Sequence, residues 1–363
     1  MTTVASFEIG YNQFLDPDGK AVQPLPEFAR NPQDLVPLYR GIVFTRRFDA
    51  KAIALQRTGR MGTYPSSLGQ EAVGVGIGAA MRPEDVLVPS YRETAAMLWR
   101  GVTPEEILLY WGGDERGADY AGPREDFPIS VPVGSHALHA AGVAYAFKFR
   151  KEKRAAVAVF GDGATSTGDV YEALNVAGAW RLPAVFVAIN NQWAISVRRE
   201  AQTASETLAQ KAIAAGIPGE QVDGNDVVAV RHALDQALET AREGGGPALI
   251  EAITYRMTDH TTADDASRYR PPEEVSAQWP NDPVTRLRGY LVDNDAWSKG
   301  HEEALIAEID ARIDAAVETY EATPPQPVEA MFDYMYAELP APLARQREAM
   351  RADAAHGRGG DHD

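Results

Sequence analysis

Two short motifs carry the residues that could do chemistry, Gly161-Asp162-Gly163 and Asn190-Asn191. Each follows an apolar run, AAVAVF at 155–160 and AVFVAI at 184–189, with a helix-like stretch at 168–180 between them. Near-continuous apolar strands joined through a helix predict a parallel βαβ unit. Both strands of such a unit end at the same sheet edge. Asp162 and Asn191, 29 positions apart, should therefore lie side by side in the crevice where such sheets bind ligands. One carboxylate, one amide oxygen and neighbouring carbonyls make a hard-oxygen site. Mg²⁺ suits it, because that ion takes only a few oxygens from protein and the rest from phosphate and water. Gly161 and Gly163 leave room for backbone amides to approach a diphosphate. The plain alternative is a chance Asp-Gly turn and an ordinary Asn-Asn loop.

The surrounding pattern predicts a doubly wound α/β fold, a mostly parallel sheet flanked by helices. Residues 1–32 read as an irregular N-terminal arm and 33–322 as the ligand-binding domain. Within it, apolar spacing predicts helices at 34–58 and 66–81. The second is poor in bulky side chains, and its Gly74, Gly76 and Gly78 suggest close backbone packing. A short strand at 85–89 follows, then helices at 93–100, 104–110 and 135–149. Beyond the central unit come helices at 204–215 and 225–243, a strand at 248–255 and a polar loop at 259–272. Helices near 283–293 and 301–321 complete the domain, the last with an apolar stripe of Leu305, Ile309, Ile313 and Val317. A PPQP run at 324–327 breaks the chain. Residues 323–350 read as a C-terminal extension that packs on the core or on a partner. Residues 351–363 read as a disordered tail.

The spacing of GDG and NN resembles the thiamine-diphosphate motif, and other segments narrow the family. In order they are Tyr64, SSLGQEAVGVG (66–76), PSYRETAAMLWRG (89–101), SVPVGSHALHAAGVAYAFK (130–148) and TYRMTDHTTADDASRYR (254–270). Together they resemble the α subunit of the thiamine-dependent decarboxylase of 2-oxo acid dehydrogenase complexes, over roughly residues 30–340. The likeness is strongest to bacterial pyruvate dehydrogenase α subunits, with branched-chain 2-oxo acid and acetoin enzymes as neighbours. The resemblance implies a thiamine-diphosphate-binding fold with Mg²⁺ held by the side chains of Asp162 and Asn191 and by the carbonyl of Trp193. It implies diphosphate contacts from Gly161, Gly163 and Ala164, with Tyr91 and Arg92 reaching the same oxygens. Backbone at Val131 and Val133 would hold the aminopyrimidine, Tyr64 would line the substrate wall, and His260 would be the catalytic histidine, poised near neutral pH. It further implies oxidative decarboxylation of pyruvate with reductive acetylation of a lipoyl group. The partners would be a β subunit, in an α₂β₂ assembly, and the lipoyl domain and transferase core of the complex. The glutamate that activates the cofactor would come from the β subunit, with Glu71 left to support a helix or the subunit contact.

Composition excludes other classes. With 35 basic and 52 acidic residues, the formal charge is −17, which disfavours phosphate backbones and anionic membranes. The chain has no cysteine, so disulfides, thiolate metal sites and cysteine nucleophiles are absent. No apolar run approaches the roughly 20 residues of a membrane span. The opening MTTVASFEIG lacks the regions of a signal peptide, and a cytoplasmic location is expected. Gly74, Gly76 and Gly78 give GxGxG rather than GxGxxG and follow no strand, against a dinucleotide site. GATSTG at 163–168 is not the GxSxG of a serine hydrolase. His136 and His139 show no third ligand for zinc. Ser130, Pro132, Ser135 and His136 match a potassium site of some relatives, where histidine is a poor ligand. A non-catalytic assembly subunit remains the non-enzyme alternative, although it has no need to keep Asp162 and Asn191.

Overall fold

The computed structural model describes residues 1–355. In chain order the elements around the sheet are β1 (Gly10–Asn12), α1 (Val36–Arg57), α2 (Glu71–Ala80), β2 (Val86–Val88), α3 (Thr94–Arg100), α4 (Pro104–Trp111), α5 (His136–Arg150), β3 (Ala156–Gly161), α6 (Gly168–Trp180), β4 (Ala184–Asn190), β5 (Trp193–Ala194), β6 (Val197–Arg198), α7 (Arg199–Gln202), α8 (Lys211–Ala214), β7 (Gly219–Asp223), α9 (Val227–Arg242) and β8 (Ala248–Ile253). Six strands form one sheet in the order β1-β7-β8-β4-β3-β2, every pair parallel. β5 and β6 form a small antiparallel hairpin. Among the described residues no helix is long and apolar enough to cross a membrane.

Every residue of β4, and all of β3 but its last, is buried, because helices cover both faces of a parallel sheet. On one face Ala156, Ala158, Phe160, Ala184, Phe186 and Ala188 form a single core cluster with Ala137, Ala140, Ala141, Ala144 and Phe147 of α5 and Val170, Ala173, Leu174 and Ala177 of α6. Alanine on strand and helix alike lets α5 lie close to the sheet, and the phenylalanines fill the remaining volume. On α2 the expected close packing is explicit: a Cβ on Gly76 would sit 2.6 Å from Cγ1 of Val230 on α9. Gly74 and Gly78 meet Ala95 and Trp99 of α3 in the same way. This glycine seam sets α2 against both neighbours.

Several elements differ from the expectation. Residues 1–32 are mostly irregular, yet Gly10–Asn12 forms an edge strand of the sheet. Asp226, the N-cap of α9, accepts the backbone N–H groups of Phe14 and Leu15 at 2.7 and 2.8 Å, which fastens the arm. Helix α2 starts at Glu71 rather than Ser66, because residues 66–67 instead wrap the buried carboxylate of Asp49. The helix expected at 204–215 shrinks to Lys211–Ala214. Thr203 and Thr207 accept the backbone N–H groups of Ser205 and Gln210, local bonds that compete with helix. β7 carries no apolar run, and only its last two residues are buried. The stripe Leu305, Ile309, Ile313 and Val317 is buried as expected.

Residues 1–317 form one compact unit and a second begins at Glu318. The second contains helices Ala330–Asp333 and Ala341–Ala355, with Arg351 Nε donating to Glu329 at 2.7 Å. Met331, Tyr334, Met335 and Tyr336 are exposed. Residues 351–355, expected in the tail, end the last helix. The rest of that tail, 356–363, lies outside the described residues.

Candidate active site

In the register of β3 and β4, Gly161 stands opposite Ile189. The residues after each strand therefore emerge together. Asp162 opens a tight turn, Asp162–Ser166, closed by Thr165 Oγ1 donating to the Asp162 carbonyl at 2.7 Å. A Cβ on Gly163 would meet the Ala194 methyl at 2.7 Å, so the β5–β6 hairpin seats on the turn only because that residue is glycine. Asn190 and Asn191 divide the work. Asn190 Nδ2 donates to the fully buried Glu251 at 2.7 Å, whereas Asn191 faces a cleft that Asp162 also lines.

That cleft is about 180 Å³ and brings together Tyr91, Arg92, Val133, Gly161, Asp162, Gly163, Ala164, Asn191, Trp193 and His260. Asp162 is only 2% exposed. Burial raises its carboxyl above the ordinary carboxylate value, and the bond from Gln202 opposes this. Among the described residues no cluster of three or more His, Cys, Asp or Glu could cage a metal. A cation at these strand tips would have one charged protein ligand and amide or carbonyl oxygens beside it. Such a set suits a hard ion that brings ligand oxygens with it. The Trp193 carbonyl, expected as a third ligand, accepts Arg256 Nη1 at 3.2 Å, leaving one lone pair for an ion.

His260 sits between two guanidinium groups. Its Nδ1 lies 3.4 Å from Arg92 Nη2 and 3.5 Å from Arg256 Nη1. Arginine can only donate, so Nδ1 carries the lone pair and Nε2 the proton. Burial first, then the charges of Arg92 and Arg256, push the imidazole down to about 4. The ring, expected to be poised near neutrality, is thus held below that range and is neutral at pH 7. Arg92 also donates to the carbonyls of Ser66 at 2.5 Å and His260 at 2.9 Å, and the Tyr91 ring meets His260 edge-on. The His260 backbone N–H donates to Asp264 at 2.9 Å, and the Tyr269 hydroxyl shares that carboxylate. Glu93, buried on the cleft wall, is pushed up to about 7 by burial.

Tyr64 is not part of this wall. It is fully buried, its hydroxyl donating to Asp49 at 2.5 Å, and it acts through its backbone, which exchanges hydrogen bonds with Thr262 beside His260. Val131 and Val133 are about half exposed, so the alternative of core packing does not hold for them. Val133 borders the cleft and Val131 does not. Glu71 is fully buried, pairs with Arg46 and accepts the Gly69 N–H at 2.9 Å. It holds α1 to α2, away from the cleft. His136 Nε2 lies 2.8 Å from the Val159 carbonyl.

Three residues with no role in the sequence analysis support the site. Gln202 bonds Asp162, Lys211 bonds Thr165, and the fully buried Arg256 donates to Trp193, Ile195 and Tyr269. Arg256 lies inside TYRMTDH, but nothing in its spacing separates it from a surface arginine. Gln202 has no such signal at all, being a neutral amide in a polar stretch.

Residues 39–329 match the model of the family described as dehydrogenase E1 component. The pyruvate dehydrogenase E1 component subunit alpha of Mycoplasma genitalium is 39% identical over 336 residues, covering 93% of this chain and 94% of the relative. The subunit of the same name from Acholeplasma laidlawii is 42% identical over 339 residues, covering 92% and 97%. The 3-methyl-2-oxobutanoate dehydrogenase subunit alpha of Mycobacterium tuberculosis is 42% identical over 345 residues, covering 94% of each. This chain belongs to the dehydrogenase E1 component family.

Proposed function

We propose that this chain is the α subunit of a pyruvate dehydrogenase, which with a β subunit carries out the thiamine-diphosphate-dependent oxidative decarboxylation of pyruvate and the acetylation of a lipoyl group. The observation that carries this reading is the meeting of Asp162 and Asn191 in one cleft beneath a glycine-flanked turn. Several relatives at 39–42% identity with the pyruvate enzyme's name support it. The 42% identity of the Mycobacterium tuberculosis relative favours a branched-chain 2-oxo acid as the second reading.

Asp162 and Asn191 would hold Mg²⁺, with the Trp193 carbonyl beside them. The backbone of Gly161, Gly163 and Ala164 would meet the diphosphate, and Tyr91 and Arg92 would reach it from the opposite wall. Val131 and Val133 would hold the aminopyrimidine through their backbone. When bound, thiamine diphosphate supplies the electron sink that decarboxylation of a 2-oxo acid needs. His260 keeps a proton on Nε2 and offers it as a hydrogen bond to charge developing in the cleft. Arg92 and Arg256 keep that ring neutral and oriented. In this reading the thiamine-diphosphate-binding domain spans 33–322, and the chain works in the cytoplasm.

A cleft of about 180 Å³ falls short of the roughly 300–1,000 Å³ of a complete small-molecule site. This supports a site completed by a β subunit, with a lipoyl domain entering from outside. The test is a decarboxylation assay with thiamine diphosphate and Mg²⁺ on the chain alone and with its β subunit, using pyruvate and 2-oxoisovalerate. Activity should need both chains and favour pyruvate. Full activity of the lone chain would overturn the split site, and preference for 2-oxoisovalerate would select the second reading.

A further inference from the structure

The turn Asp162–Ser166 is gripped from outside by the stretch that follows the β5–β6 hairpin. Gln202, at the end of α7, donates from Nε2 to Asp162 Oδ2 at 2.8 Å and reaches the Val197 carbonyl at 3.3 Å. Its own carbonyl accepts Ser166 Oγ at 3.4 Å. Further along, Lys211 Nζ donates to the carbonyl and hydroxyl of Thr165 at 2.6 and 2.9 Å. That ammonium is buried, and among the described residues no carboxylate pairs with it within 4.0 Å. Both ends of the turn are thus held by one segment.

The Asp162 carboxylate needs such a hold. Rotation about the last bond of an aspartate is broad and nearly two-fold, so its side chain alone does not fix which oxygen faces a ligand. Gln202 removes that freedom. An amide N–H₂ can only donate, so this contact cannot itself bind a cation; it takes Oδ2, and the backbone N–H groups of Asp162 and Gly163 also favour the carboxylate. We infer that Gln202 is a positioning residue that aims Oδ1 of Asp162 at the cation, with Lys211 as the second anchor of the same turn. The inference rests on the reading of Asp162 as a metal ligand. Hydrogen-bond partners of ligating carboxylates typically carry about 10- to 100-fold in metal affinity.

The experiment is a Mg²⁺ titration of the α/β assembly at fixed thiamine diphosphate, read by tryptophan fluorescence, for the unaltered protein and for Gln202→Met. Gln202→Met, close in size and without the donor, should raise the Mg²⁺ half-saturation by about 10- to 100-fold. The loss should be larger there than in the rate at saturating Mg²⁺. A half-saturation within about twofold of the unaltered protein, or a tighter one, would overturn the inference, the latter by showing that Gln202 competes with the ion. A lowered melting temperature of the metal-free assembly with the Mg²⁺ response intact would assign Gln202 a merely structural role and overturn it equally. If Gln202→Met does not assemble, Gln202→Asn, which keeps the amide but not its reach, carries the same measurement. Absence of any Mg²⁺-dependent binding in the unaltered protein would strike the reading of the cleft itself. Normal binding there with no change in the variants strikes only Gln202.

Discussion

Replacing His260 with Asn tests whether the site holds a neutral imidazole. Burial and the two guanidinium groups bring His260 from 6.5 to about 4, so the folded chain takes up this proton less readily than the unfolded one. For a depressed group the stability it lends is complete above pH 6.5 and is lost as the pH falls toward 4. Each whole pH step of that gap is worth about 1.4 kcal/mol, which sets a ceiling of about 3.4 kcal/mol. The ring is partly open to solvent, and screening reduces the expected value to about 1–2 kcal/mol. Between pH 7 and pH 4 the unaltered protein should lose that much more stability than His260→Asn, on the order of 1–3 °C in Tm. Thermal melts of both proteins, followed by circular dichroism in half-unit pH steps, measure the difference directly. Other groups that titrate in this range, such as Glu93 near 7 and Asp226 near 6, are common to both and cancel. Two melting curves that stay parallel down to pH 4 would refute the neutral-donor assignment.

Other substitutions separate binding from support. Asn191→Ala should weaken Mg²⁺-dependent thiamine diphosphate binding at least tenfold and also cost about 1–3 kcal/mol, because its Oδ1 accepts the buried Trp193 N–H at 3.2 Å. Asn190→Ala should leave that titration intact and cost about 1–3 kcal/mol, because it strips a partner from the buried Glu251; calorimetry with each variant distinguishes them. Gly76→Val, with its Cβ forced to 2.6 Å from Val230, should destabilise by about 1–3 kcal/mol or more, read as a lowered melting temperature. Asp49→Ala leaves the donors of Tyr64, Ser66 and Ser67 without their acceptor. It should cost on the order of 3 kcal/mol or more, visible in denaturant unfolding. Trp193→Tyr, which alters a side chain but not the carbonyl offered to an ion, should hold the Mg²⁺ half-saturation within about threefold, measured by calorimetry because the substitution removes the cleft's own tryptophan.

The central βαβ unit was legible because buried parallel strands have no polar face to confuse the pattern: residues 156–161 and 184–190 are almost wholly apolar. The same logic hid β7, whose Gly219–Asp223 shows no apolar run, and β1, which is only three residues long. The juxtaposition of Asp162 and Asn191 followed from strand direction alone. What Asn190 does instead did not, because that depends on Glu251 reaching across from β8. Tyr64 was misplaced because an aromatic beside a motif reads alike whether it lines a pocket or caps a buried carboxylate. The charge state of His260 was out of reach for a similar reason: Arg92 is 168 positions away in sequence, and only the fold brings its charge to the ring.

The residues flanking the cleft mouth have a consequence for how this protein is made. Val133 and Ile195, which line the cleft, are each about half exposed, as are Val131 and Val197 close to them in the chain. Exposed apolar surface of this kind drives self-association when nothing complementary is at hand. If the proposed β subunit covers this surface, chain synthesised in excess of it should clump, and balanced co-production should keep it in solution.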